Sequence, residues 1–224
     1  MLGFTPVLVT AFVQVNTIRG NRYLDDAGKI MNAWEDYFPT IQVGLDGLKM
    51  NNPTAVMRDL QVDTKRIWIH YEEPESIEMI AKQSRQVIDS VSKTIGVDSF
   101  SRVAIRIQYV VATKDNPNFV YETYKTIFGS TVTKLLETNS QEDKHSFELN
   151  LPLKSDRLLI NQRIYPVQKT AEGDSKDLPP DGIMFDSDIH IPTLVRLQGL
   201  GSFFREAEQW TRETLLSIIS RPLC

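Results

Sequence analysis

Apolar residues recur at every second position near the start of the chain. Val7, Val9, Ala11, Val13 and Val15 alternate with Leu8, Thr10, Phe12 and Gln14. A β-branched run of this kind predicts a buried strand. The period then changes. Leu24, Ala27, Met31, Trp34 and Phe38 are three or four residues apart and predict a helix over 21–38 with one apolar face. Pro39 ends it, because proline cannot continue helical hydrogen bonding. Ile41, Val43 and Leu45 alternate as a short strand, and Gly44, Gly47, Asn51, Asn52 and Pro53 punctuate a loop. A strand over 65–71 puts Ile67, Ile69 and Tyr71 on one face and Arg66, Trp68 and His70 on the other. Pro74 marks the start of the clearest helix. Its stripe runs through Ile77, Ile80, Ala81, Ser84, Val87, Ile88, Val91 and Ile95 to a stop at Gly96. Glu73, Glu75 and Glu78 lie where the helix dipole favours negative charge. Val103, Ile105, Ile107, Tyr109 and Val111 face one way along the next strand.

The order so far is β-α-β-β-α-β, the ferredoxin-like split arrangement, over residues 1–113. The second half, 114–224, reads differently. A short helix over 117–128 stops at Gly129. Strand candidates follow at 131–137, 144–151, 157–165 and 183–191, with polar turns at 141–143 and 154–156. Residues 170–181 form a polar loop. A last helix over 202–220 carries Phe203, Ala207, Trp210, Thr214 and Ile218 on one stripe. The fold class expected is α+β: a ferredoxin-like half followed by an antiparallel sheet packed by a long C-terminal helix. No compositional linker separates the halves, so one continuous sheet is compatible with the pattern.

Composition changes this picture little. The 224 residues are 41% hydrophobic and 24% charged, a globular balance that excludes a disordered, collagen-like or membrane-embedded chain. No segment approaches the ~18–20 apolar residues of a membrane span. Residues 1–15 carry no Lys or Arg before their apolar run, which favours a strand over a signal peptide. The net charge of −4 argues against a dedicated duplex-DNA binder. The single cysteine, Cys224, forms no internal disulfide, and a reducing cytoplasm fits best. The fourth residue from the end is Arg221, so a prenyl anchor does not apply.

Some landmarks are familiar. They are Tyr37-Phe38-Pro39 after the first helix and the strand Val103-Ala104-Ile105-Arg106-Ile107-Gln108-Tyr109. Asp186 and Asp188 close a late strand, and Phe203-Phe204 and Trp210-Thr211 mark the final helix. This order resembles a sporadically distributed bacterial and archaeal family of uncharacterised proteins of about this length. Val110 stands where that family's asparagine would follow the strand, and no histidine lies near the start of the last helix. The resemblance implies no particular chemistry. Its patchy occurrence is similar to that of accessory or defence-associated genes.

Four kinds of candidate chemistry can be weighed. Asp186, Asp188 and His190 share one strand face, and carboxylates with imidazole suit Mn, Fe or Zn. Alternate strand residues lie about 6–7 Å apart, so a metal would need another ligand. Glu72, Glu73 and His145 are nominal candidates. The plain reading is a solvated face opposite Ile183, Phe185, Ile189 and Ile191. Second, if the helices cover one face of the first sheet, with Val7, Val9 and Val13 among the covered residues, the other carries Phe12, Gln14, Arg66, Trp68, His70, Arg106 and Gln108. Aromatics with Arg and Gln are how some sheets stack single-stranded bases. Cover by the second half or by another subunit is the ordinary alternative. Third, Gly199-Leu200-Gly201-Ser202 precedes the last helix. It reads as a flexible turn with Ser202 as N-cap rather than an anion site. Fourth, no nucleophile elbow, Walker loop, His-Glu-x-x-His or Cys-x-x-Cys occurs.

The leading expectation is therefore a non-enzymatic, cytoplasmic protein-binding or assembly subunit with no cofactor. Its partner would be another protein or a second copy, met by the Trp68 face or by the final helix around Phe204 and Trp210. Phe204 lies off the main stripe, which implies a wider buried face or a partner. The alternatives are a metal-dependent hydrolase using Asp186, Asp188 and His190, and single-stranded nucleic-acid binding on the open face. The net charge argues against the latter.

Overall fold

The computed structural model describes residues 6–17, 23–111, 148–168 and 181–216. The expected helix over 117–128, the strand over 131–137, most of the loop over 170–181, His145 and Cys224 lie outside them.

The described elements run β1 (Val7–Thr17), α1 (Tyr23–Trp34), β2 (Thr40–Gly44), β3 (Gly47–Asn51), β4 (Met57–Val62) and β5 (Arg66–Glu72). They continue with α2 (Ile77–Ile95), β6 (Ser99–Val111), β7 (Leu149–Ser155), β8 (Leu158–Gln168), β9 (Asp181–Ile191), β10 (Val195–Arg196) and α3 (Leu200–Trp210). All ten described strands join one sheet in the order β2-β3-β4-β5-β1-β6-β9-β8-β7, with β10 on the end of β6. Every pairing is antiparallel. The fold is mixed α and β, a large antiparallel sheet with few helices. β6 joins the halves, pairing with β1 on one side and β9 on the other.

The helices pack on one face. Tyr23 and Ile30 from α1, Ile80, Val87, Ile88, Val91 and Ile95 from α2, and Phe203 and Ala207 from α3 meet Val13, Ile67, Ile69, Ile105, Ile107 and Ile189 in one core. Each of the Val, Ile and Phe side chains among them contributes about 1.5–3 kcal/mol by leaving water. α2 is capped at both ends. Ser76 Oγ accepts a hydrogen bond from Met79 N at 3.2 Å, and Gly96 adopts the left-handed conformation at φ 68°. The helix therefore begins three residues after Pro74.

Several expectations are corrected. β4 lies where no element was expected, and the segment read as a loop after Gly44 contains the strand β3. Leu48 and Met50 alternate there but sit between Gly47 and Asn51, which look like breakers. Gly47 is needed, since its φ is +148° and a Cβ would lie 2.9 Å from Val62 O. A register irregularity between Met57 and Asp59 interrupts the alternation of β4. α1 stops at Trp34. Phe38, fully buried, lies beyond it in a turn whose amide bonds back to Trp34 O at 3.0 Å. Val7 is 47% exposed, because an irregularity between Leu8 and Thr10 rotates the strand's first residue away from the helices. The last helix begins at Leu200, so Ser202 lies within its first turn and is not its N-cap. Its hydroxyl donates to Gly199 O at 2.9 Å.

Candidate functional site

The face of the sheet opposite the helices is laid down by the same alternation. The positions between the core residues carry Phe12 and Gln14 on β1, Trp68 and His70 on β5, and Arg102, Arg106 and Gln108 on β6. β9 adds Asp186, Asp188 and His190. No described helix packs there. Antiparallel register sets Phe12 opposite both His70 and Arg106, Gln14 opposite Trp68 and Ala104, and Arg106 opposite Asp188. A groove of about 670 Å³ results, lined by Phe12, Gln14, Trp68, Arg102, Ala104, Arg106, Asn150, Asn161, Arg163, Asp186 and Asp188.

One wall is aromatic. Phe12 and His70 stack at 4.7 Å between centroids and 12° between planes, and Phe12 and Trp68 stack at 5.6 Å. His70 is held on both ring nitrogens: Nδ1 lies 2.8 Å from Asp59 Oδ2, and Nε2 lies 3.1 Å from Thr10 Oγ1. It is thus tied into the wall.

The other wall is a row of arginine–carboxylate pairs. Arg106 meets Asp186 through both Nε and Nη2, with Nε donating to Oδ1 at 2.7 Å. The Asp186 side chain is 2% exposed and that of Arg106 41%. Donating to the Asp186 carboxylate raises the guanidinium pKa above its ordinary value, against the opposing effect of burial. Arg163 donates to Glu148 at 2.7 and 3.0 Å, lies 3.7 Å from Asp186 Oδ2, and sits 5.3 Å above the Tyr165 ring. Its pKa is raised chiefly by the bond to Glu148. Tyr165 is raised first by burial and then by the Asp186 charge. Arg102 reaches Asp188 at 3.0 Å.

Asp186, Asp188 and His190 share a face as their spacing predicts, yet both carboxylates turn to arginines. His190 Nδ1 lies 3.6 Å from Asp188 Oδ2 and makes no hydrogen bond. Glu72 pairs with Arg58 at 3.1 Å. Among the described residues, no group of three or more His, Cys, Asp or Glu is arranged to hold a metal. Arg66 bonds Asp63 at 3.1 Å and lines a separate depression with Gln14, Asn16 and Lys65. Gln108 is on the same face but outside the groove lining.

Phe204 and Trp210 are not surface residues. They are 3% and 8% exposed and pack in the core. The off-stripe position of Phe204 reflects a wide buried face that includes Leu200, Phe203, Ala207 and Thr211. Gly201 lies where α3 meets α2, and a Cβ there would come 3.1 Å from Arg85 Nη1.

Sequence reasoning missed Arg102, Asn150, Asn161 and Arg163. Arg102 could have been found, since it lies four residues before Arg106 on the same strand face. Asn161 and Arg163 alternate with Ile160, Gln162 and Ile164 on β8, so the same pattern exposes them.

No helix among the described residues is long and apolar enough to cross a membrane. The sequence matches no protein-family model and no curated protein.

Proposed function

We propose that the chain is a non-enzymatic binding or assembly subunit that docks a protein partner on the open face of its sheet. One observation carries this reading. Every arginine lining the groove is already bonded to a carboxylate, while the aromatic wall beside it stays only half-buried. The face is therefore ordered before binding and close to neutral. Aromatic and Arg side chains held in place dominate protein interfaces, and pre-ordering lowers the cost of association.

A single-stranded nucleic acid is the second reading, favoured by the same aromatic row. It calls for cations free to meet phosphates, and the arginines here are paired internally. The stacking of Phe12 on His70 also occupies one face of each ring. The metal-dependent hydrolase has less support, because the Asp186 and Asp188 carboxylates hold arginines.

Other parts of the proposal are supported more distantly. The strand order β6-β1-β5-β4, with α1 and α2, suits a ferredoxin-like unit to which the β2-β3 hairpin and the second half are added. A cytoplasmic setting suits the lone cysteine. An accessory or defence-associated role rests on the resemblance alone.

The test is purification from the native host after nuclease treatment. A stoichiometric protein partner should accompany the wild type. Trp68→Ala should weaken that association ~10-fold or more while lowering stability by only about 1 kcal/mol. A solitary wild-type protein, or a partner held equally by Trp68→Ala, overturns the reading.

A further inference from the structure

The two ends of the sheet are built differently. Among the described residues, β2 and β7 each pair on one side only. Both belong to hairpins with two-residue turns, closed by the pairs Gly44↔Gly47 and Ser155↔Leu158. In such a hairpin the closing pair is hydrogen-bonded, and bonded and non-bonded pairs then alternate. On β2, Thr40, Gln42 and Gly44 bond inward to β3, and the amides and carbonyls of Ile41 and Val43 point outward. On β7 the outward set is Asn150, Pro152 and Lys154. Proline has no N–H to offer, and lysine disfavours burial against another strand. Both are recognised guards of a sheet edge.

β2 has neither guard. Its five residues, Thr40-Ile41-Gln42-Val43-Gly44, are uncharged. Ile41 and Val43 lie opposite Met50 and Leu48, so they belong to the apolar face of the sheet. Those partners are 1% and 0% exposed, yet Val43 is 56% exposed and Leu45, in the turn, 89%. The core face thus runs out to this edge, where Ile41 is partly buried against it and Val43 is left open by the described residues.

We propose that the occupant of this edge is β2 of a second copy, paired antiparallel about a twofold axis through Gln42. The segment is its own complement in that register. Ile41 of each copy faces Val43 of the other, so apolar side chains meet on the core face. The two outward-pointing residues of one strand become bonded pairs with those of its partner. Gln42 faces Gln42 as the non-bonded pair, and no like charges are opposed. The contact is isologous and closes at two chains by its twofold symmetry, and Pro152 and Lys154 guard the opposite end of the sheet against further addition. The inference is independent of the open-face reading above, since it uses a different surface.

Sedimentation of the full chain over a wide concentration range tests it. The wild type should move from the chain mass of 25.6 kDa towards twice that value and no further. Val43→Pro gives β2 the guard that β7 already has. It removes an outward N–H and leaves the β2–β3 bonds intact, so it should weaken dimerisation about tenfold or more, with the melting temperature of the dilute monomer unchanged. If that variant fails to fold, Val43→Lys, which keeps the backbone N–H, is read the same way. A wild type that stays at the chain mass, grows beyond two chains, or dimerises equally well with proline or lysine at position 43 overturns the proposal.

Discussion

The two faces of β6 and β9 come from alternate residues of the same two strands, yet they do opposite work. On one face Ile105, Ile107, Ile189 and Ile191 are at most 1% exposed and lie in the core. On the other, Arg102 and Arg106 reach across to Asp188 and Asp186 and remain partly in water. The first face gains stability from area removed from solvent. The second gains order: its charges cancel locally, and its rings are fixed by stacking. The contrast teaches that fold stability and recognition can be separated residue by residue along one strand.

The largest expected effect breaks the helix-covered face. Phe203→Ala truncates a fully buried side chain and should cost about 3–5 kcal/mol. Denaturant unfolding checks this. Partner binding by the fraction still folded should be unchanged.

Alkaline pH probes the same face through its phenols. Burial pushes the Tyr109 hydroxyl up to about 12, and Tyr71 moves the same way despite its 2.8 Å hydrogen bond to Ser84. An unfolded tyrosine loses its proton near pH 10 while the folded one keeps it. The unfolded state then binds fewer protons, so stability falls as pH rises. For Tyr109 the loss amounts to about 2–3 kcal/mol between pH ~10 and ~12. Unfolding curves across that range should show it, and Tyr109→Phe should flatten it.

The smallest of the three effects concerns the open face. Asp186→Asn removes the buried charge that orients Arg106 and lies near Arg163. Stability should drop by about 2 kcal/mol, less than for Phe203→Ala because Arg106 can turn to water. Partner binding should fall by more than the stability change explains. A double-mutant cycle with Arg106→Ala measures the coupling. A coupling near zero would reduce the pair to an incidental contact and weaken the contrast between the faces.

The open face itself was legible, because β5, β9 and the middle of β1 and β6 alternate, and Phe12, Trp68, Arg106 and Asp186 fall in the polar phase. Its electrostatics were not. Arg106 and Asp186 are 80 positions apart, and only the strand order brings β9 beside β6. Without that pairing, Asp186, Asp188 and His190 read as metal ligands and Arg106 as a free cation. The final helix misled for another reason. Phe204 falls off the stripe that carries Phe203, Ala207 and Trp210 and so reads as a surplus aromatic, but α3 packs against both α2 and the sheet and buries a wider arc. The β2–β4 region was obscured by glycine and asparagine at strand ends, where they close hairpins rather than open loops.

The central claim is that the open face meets a protein. A photo-crosslinking amino acid at position 14, in the groove between the aromatic and arginine walls, tests it most directly in the native host. The account predicts one discrete protein adduct that survives nuclease and disappears when Trp68→Ala is added. No adduct, or one destroyed by nuclease, would contradict it.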